Sequence, residues 1–235
     1  MNNRIVLLGD SIIDNTLYVE KYDVEHHLKT LLEHNPRLLE DDAVDNNSID
    51  GVTTSEVLET VIKGGFSKDT THFVISVGGN NLLNRKDLLL EEDTPDNLKT
   101  LFIKQDMYSV MTNDLLPIIS GDHYSGYITE IEAIAVMLNY RYPKAEIVFL
   151  GLYEGNPSWN KDWETVEHLL PELIATHNEK LQETIKRLNL RWSKAVASYI
   201  DITNTLKPED YFNDIEPNDS GGLLIAEKIA AHINE

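Results

Sequence analysis

The sequence predicts a three-layer α/β/α sandwich around a mostly parallel five-stranded sheet. Two observations carry this reading. Apolar runs of strand length alternate with amphipathic stretches of helical period along the chain, which is the pattern of successive βα units. The first of these runs, Ile5-Val6-Leu7-Leu8, is apolar without alternation, as a strand covered on both faces must be. Neither an internal repeat nor a low-complexity linker divides the 235 residues, so residues 1–235 are expected to form one domain.

The elements follow in order. Gly9-Asp10-Ser11 ends the first strand, with Gly9 allowing a sharp turn. Asp23 caps a helix that carries Val24, Leu28, Leu31 and Leu32 on one face and stops at Asn35-Pro36. Residues 43–48 are a short strand and Asp50-Gly51 a turn. Thr53 and Glu56 stand at capping-box spacing, so a helix starts there, presents Val57, Leu58 and Val61, and stops at Gly64-Gly65. His72 to Val77 is a second buried strand that runs into Gly78-Gly79-Asn80-Asn81.

Residues 84–97, charged and holding Asp93-Thr94-Pro95-Asp96, are expected to be a surface loop. Leu98 to Ile119 and Ile128 to Tyr140 are expected helices on either side of a loop from Gly121 to Gly126. Glu146 to Leu150 is a strand, followed by a loop with Tyr153, Asn156, Pro157 and Trp159. Leu169 to Leu190 is a long amphipathic helix, and Ala195 to Ile202 the last strand. A polar stretch from Asn213 to Asn218 precedes Gly221-Gly222 and a closing helix with Leu224, Ile225, Ile229 and Ile233.

Composition narrows the function classes. With 40 acidic and 20 basic residues the chain carries a net charge of −20, which repels nucleic-acid phosphates and anionic membrane surfaces. Neutral or cationic substrates are favoured. The absence of cysteine excludes disulfides, thiolate metal sites and a cysteine nucleophile. No apolar run approaches the roughly 20 residues of a membrane span, and no signal peptide precedes the first strand, which leaves the cytoplasm as the default expectation. No histidine pair stands at metal-ligand spacing beside a third ligand, and Gly78-Gly79 lacks the Lys and Ser/Thr of a phosphate loop, so neither metal nor cofactor is expected.

Three polar turns sit at or near the carboxyl ends of the first three strands: Gly9-Asp10-Ser11, Asp50-Gly51-Val52-Thr53-Thr54 and Gly78-Gly79-Asn80-Asn81. Parallel strands place all three on one edge of the sheet, where ligands bind in open α/β folds. A hydroxyl, a glycine N–H and a side-chain amide then converge. That set suffices for acyl transfer, with Ser11 as nucleophile and the Gly51 N–H and Asn80 amide as oxyanion donors. The bland alternative is three loops with ordinary turn residues.

These motifs resemble the blocks of the SGNH (GDSL-type) hydrolases, nearly end to end. Leu8-Gly9-Asp10-Ser11 is similar to the first block, Asn47 through Thr54 around Gly51 to the second, and Val77-Gly78-Gly79-Asn80-Asn81 to the third, with Asn81 where an Asp is frequent. The resemblance implies a flavodoxin-like parallel five-stranded sheet between helices, and an esterase or acylhydrolase activity on a small ester or acylated molecule. It implies Ser11 as nucleophile and the N–H groups of Ser11 and Gly51 with the Asn80 side chain as the oxyanion hole.

The final block departs from the family pattern. The usual ending is Asp-x-x-His-Pro, with His as base and Asp orienting it. Here Asn213-Asp214-Ile215-Glu216-Pro217 puts Asn213 in the Asp place and Glu216 in the His place. The chain resembles a bacterial subgroup of SGNH-like proteins with this Ile-Glu-Pro ending and an Asp-Gly-x-Thr-Thr turn. An ordinary Glu is a weaker base than imidazole by about 3 kcal/mol, the two-unit gap in pKa. Burial narrows that gap, and Asn213 would then hydrogen-bond Glu216 without adding charge. The alternative is a catalytically silent SGNH-like protein that binds an ester, glycan or protein partner in the same cleft. Among the 8 histidines, His123 is the candidate for a substitute base. Asp10 is expected to fix the turn. Tyr153, Trp159 and Trp163 are expected to pack under a loop or line a pocket near the active edge.

Overall fold

The computed structural model describes residues 3–33, 43–84, 126–156, 170–192 and 196–234. Five strands, β1 (Arg4–Gly9), β2 (Ala43–Asn46), β3 (His72–Ser76), β4 (Glu146–Leu150) and β5 (Ala197–Ile200), form a sheet in the order β2-β1-β3-β4-β5. Every pairing is parallel. The helices are α1 (Val24–Glu33), α2 (Thr54–Lys63), α3 (Gly79–Leu83), α4 (Tyr127–Arg141), α5 (Leu170–Trp192) and α6 (Asp219–Ile233).

The strand order explains the layers. The chain steps from β1 outward to β2, then crosses back over β1 to β3 and continues through β4 to β5. Right-handed crossovers in opposite directions put their helices on opposite faces. Accordingly α1 packs against α6, while α2 packs against α4 and α4 against α5. The sheet is covered on both sides, and its central strands must be apolar at successive positions. Ile5, Leu7, Phe73, Val74, Ile147 and Val148 are each fully buried. In the edge strand β2, Ala43-Val44-Asp45-Asn46, only Val44 is buried.

Local signals set the helix ends. Thr53 and Glu56 form the capping box expected from their spacing. Asp23 Oδ1 accepts the backbone N–H of His26 at the start of α1, at 2.7 Å. Several boundaries shift: the strand expected over 43–48 ends at Asn46, the strand expected from Ala195 to Ile202 spans Ala197–Ile200, that expected to reach Val77 ends at Ser76, and the turn expected at Gly79-Asn80-Asn81 is the first part of the short helix α3. The expected loops and helix between residues 85 and 125 lie outside the described residues, as do His123, Trp159 and Trp163. No helix among the described residues is long and apolar enough to cross a membrane.

Two glycines are dictated by close approach. Gly9 has φ +138°, and a Cβ there would lie 2.0 Å from the Ser76 carbonyl oxygen. Gly78 has φ +108°, and its Cβ would meet Cε1 of the buried His177 at 2.3 Å. These contacts bring the end of β1 directly against β3, and set the His177 ring of α5 directly over Gly78.

Replacing Gly9 by Ala combines backbone strain with overpacking and is expected to cost about 2–5 kcal/mol in denaturant unfolding. Gly51 also has positive φ, but a Cβ there meets nothing within 4 Å. Gly51→Ala should therefore cost only about 1–2 kcal/mol, the left-handed backbone term alone. Equal losses for the two variants would contradict this assignment.

Candidate active site

β1 and β3 are neighbours from which the chain runs outward in opposite directions, so the crevice beyond their carboxyl ends is the topological switch point of the sheet. Ser11 follows β1 there, and Asn80 follows β3 in the first turn of α3. Ser11, Asn80, Asp10 and Glu216 all line one cavity of about 80 Å³.

Ser11 Oγ donates a hydrogen bond to Glu216 Oε1 at 3.1 Å, across 205 residues of sequence. Both side chains are buried, Ser11 at 8% and Glu216 at 7% exposure. Glu216 is held by the segment from Tyr211 to Pro217, which closes on itself through an antiparallel bridge between those two residues. Phe212 N donates to the Glu216 carbonyl at 2.8 Å, and Asn15 Nδ2 to the Pro217 carbonyl at 3.2 Å. Tyr153 Oη donates to the Ile215 carbonyl and Tyr211 Oη to the Glu154 carbonyl, both at 2.6 Å. The loop after β4 is thereby tied to the loop that carries Glu216. Tyr153 fills both expected roles: it packs under this loop and lines the cavity.

Asn213 acts differently from the expected pairing with the Glu216 carboxyl. The residue is exposed, and its Oδ1 accepts the backbone N–H groups of Ile215 and Glu216, each at 2.9 Å. It shapes the turn, leaving the Glu216 carboxyl to Ser11. The reason is local: an Asn side chain readily accepts from backbone N–H groups two or three residues ahead, forming an Asx turn.

Gly51 is exposed and outside the cavity wall, but its neighbours reach the site from two sides. Asn80 Nδ2 donates to the Val52 carbonyl at 3.0 Å. An amide carries two N–H groups, so one remains for a ligand. On the other side Asp50 accepts from Tyr18 Oη at 2.8 Å, and its backbone N–H donates to Asp14 Oδ2 at 3.1 Å. Asn81 ties the second and third turns together: its Oδ1 accepts from Thr54 N and its Nδ2 donates to Thr54 Oγ1, both at 3.1 Å.

The electrostatics are those of buried carboxyls crowded together. Burial pushes the Glu216 carboxyl up to about 7 against the pull of the Ser11 hydrogen bond, and Asp50 and Asp10 push it the same way. Burial also pushes Asp10 up to about 7, although Ser76 Oγ donates to its Oδ1 at 2.8 Å and Ile12 N at 3.2 Å. Asp10 fixes the turn as expected and also presents an acid to the cavity. Tyr18 is raised above its ordinary range by burial first, then by its bond to Asp50 and the nearby Glu216 and Asp14.

Sequence reasoning did not single out His177 and Asn178. Burial holds His177 down to about 3, so its ring is neutral against Gly78. Asn178 brackets Leu152, accepting from its N–H at 2.7 Å and donating to its carbonyl at 2.8 Å. The available signal was a His-Asn pair inside a helix whose other inward positions are Leu, Ile and Thr184. No group of His, Asp and Glu among the described residues is arranged to hold a metal ion.

No protein-family model matches the sequence, and no curated protein matches it. Solved structures do share its fold. A lipase from a goat rumen metagenome aligns with a TM-score of 0.65 at 17% identity, over 98% of this chain and 97% of that one. An acetylxylan esterase from Geobacillus stearothermophilus aligns with a TM-score of 0.59 at 14% identity, over 99% of this chain and 94% of that one. A phospholipase A1 from Streptomyces albidoflavus aligns with a TM-score of 0.60 at 16% identity, over 98% of this chain and 100% of that one. With its all-parallel five-stranded sheet, the chain has the fold of the SGNH-type esterases and lipases.

Proposed function

We propose that the protein is a serine ester hydrolase that acts through a Ser11 acyl-enzyme, with Glu216 as general base. The observation that carries this reading is the 3.1 Å hydrogen bond from Ser11 Oγ to Glu216 Oε1 inside a buried cavity. Nucleophile and base are within proton-transfer distance. The carboxyl, raised to about 7, loses the two-unit handicap that an ordinary Glu has against imidazole. Fold similarity to esterases and lipases supports an ester or acylated small molecule as the substrate class.

The steps follow from the groups in place. Glu216 takes the hydroxyl proton as Ser11 Oγ attacks the ester carbonyl. The oxyanion is met by the free N–H of the Asn80 amide and the backbone N–H of Ser11, both of which line the cavity; Gly51, outside the cavity wall, takes no part in this step. Each such donor is worth about 3–4 kcal/mol of transition-state stabilisation. Glu216 returns the proton to the leaving alcohol, then takes one from the water that attacks the acyl-enzyme and passes it to Ser11 Oγ as the acyl–oxygen bond breaks and the acid departs, which restores the starting pair. Asn213 keeps the turn that aims Glu216. The competing reading, a silent binding protein with the same cleft, draws on the exchange of the usual His for Glu216. It expects binding without turnover.

A fluorophosphonate probe should label the protein at Ser11, and Ser11→Ala should abolish both labelling and hydrolysis of p-nitrophenyl acetate. Absence of labelling in the native protein across pH 6–9 would favour the silent binder.

Glu216 must be ionised to act, so kcat/KM should rise as pH passes through about 7 and level off above it. Glu216→Gln should lower kcat/KM by about 10² or more at pH 8. Unchanged turnover in this variant would exclude Glu216 as base and move attention to His123.

The same substitution should stabilise the fold at high pH. A folded pKa raised above the ordinary 4.5 to about 7 contributes stability below 4.5 that is lost as pH rises through 7. The ionised, buried carboxylate then costs about 3 kcal/mol, from a shift of roughly 2.5 units at 1.36 kcal/mol each. Glu216→Gln removes that cost, so its gain in denaturant stability should be largest at pH 8–9 and vanish near pH 4. A loss of stability at pH 8–9 would contradict the burial argument.

A further inference from the structure

The cavity beside Ser11 has a size and polarity that specify what enters it. Its volume is about 80 Å³. An apolar protein cavity of about 150 Å³ holds benzene, six carbons, so about half that volume corresponds to about three. Leu82, Leu83, Leu152, Ile174 and Ile215 supply its apolar walls, from α3, the loop after β4, α5 and the loop that carries Glu216. The charged side chains among its described lining residues are the carboxyls of Asp10 and Glu216, and no Lys or Arg joins them.

The two halves of an ester separate on either side of Ser11. Asp50 and Tyr18 both act electrostatically with Glu216, yet neither lines the cavity. They lie outside the cavity wall; their chain neighbours Leu17 and Ile49 are open to solvent at 71% and 58% exposure, and Phe212, at 61% exposure, has its ring 5.8 Å from that of Tyr18. A leaving alcohol must depart to solvent past Glu216, and water must arrive by the same route. The acyl group stays bonded to Ser11 throughout, which suits the walled side.

We propose that the cavity is an acyl pocket for an uncharged acyl group of two to four carbons, with Ile174 and Leu83 setting the chain-length limit. This rests on the serine-esterase reading. A longer chain runs into the α3 and α5 walls, and an acyl group ending in a carboxylate would leave water to face Asp10 and Glu216 with no cation among the described lining residues to pair with.

The test is kcat/KM for p-nitrophenyl esters from acetate to decanoate, with the mono-p-nitrophenyl ester of succinate as the charged probe and fluorophosphonate labelling run in parallel. The native protein should prefer acetate to butyrate, lose at least 10-fold by octanoate, and turn over the succinyl ester at least 10-fold more slowly than butyrate. Ile174→Ala should raise the octanoate-to-acetate ratio at least 5-fold, and Leu83→Phe should lower the butyrate-to-acetate ratio. The second variant keeps the test decisive if the first fails to fold. Labelling and hydrolysis with a flat or rising chain-length profile would overturn the acyl-pocket assignment while leaving the esterase reading intact. Absence of both labelling and hydrolysis would overturn the two together.

Discussion

The interaction on which the site depends is the buried hydrogen bond from Ser11 Oγ to Glu216 Oε1. A carboxyl is costly to bury, and the charged groups acting on Glu216 among the described residues are Asp50 and Asp10, which increase that cost. The fold must hold Glu216 where an isolated loop would release it to water. It does so by closing residues 211–217 on themselves, tying them to the loop after β4 through Tyr153 and Tyr211, and anchoring Pro217 to Asn15. Asn15 also accepts the first N–H of α1 at 2.9 Å, so the loop that carries Glu216 is braced against the same helix pair that covers the sheet. Binding energy distributed over these polar contacts offsets a local instability, as stability elsewhere commonly supports strained functional sites.

The sheet supplies the other half of the arrangement. Gly9 lets β1 pass against Ser76 with no side chain between, and Asp10 then receives both the Ser76 hydroxyl and the Ile12 N–H. That pair of bonds sets the direction in which the chain leaves β1, and therefore where Ser11 stands. On the β3 side, the neutral His177 ring fills the space over Gly78, and Asn80 is fixed by Val52. The Ser11 hydroxyl and the Asn80 amide are positioned by short polar contacts at strand ends, over a closely packed core.

How much of this is legible in the sequence follows from the range of each interaction. Ile5–Leu8 and His72–Val77 announce buried strands because burial on both faces removes polar residues from the pattern. The box at Thr53 and Glu56 is a three-residue signal and stands as expected. Ser11 and Asn80 were legible because strand direction alone puts their turns at one edge. The Ser11–Glu216 bond spans 205 residues, and only the resemblance to SGNH hydrolases linked the two. Asn213 was misjudged because a two-residue Asx turn competed successfully with a side-chain partner. His177 and Asn178 were hidden because helical periodicity marks which residues face inward, and says nothing about a polar side chain's partner there. The raised pKa values of Asp10 and Glu216 depend on burial, which composition does not reveal.

The double exchange at the final block preserves a quantity that matters for the site. An Asp with a neutral His carries one negative charge, and so does an Asn with an ionised Glu. Asn213 therefore avoids adding another carboxylate to a region where Asp10 and Asp50 already push Glu216 upward. An Asp at 213 would accept the same two backbone N–H groups, so hydrogen bonding alone does not select Asn. Charge does: an added carboxylate would raise the Glu216 carboxyl further and shrink the pH range in which it is ionised. The converse also holds. An imidazole placed at 216 would find Asn213 exposed and already engaged with the backbone, with no carboxylate to orient its ring. On the proposed reading, burial keeps the carboxyl at 216 basic, and an imidazole there would need a carboxylate at 213 to hold its ring.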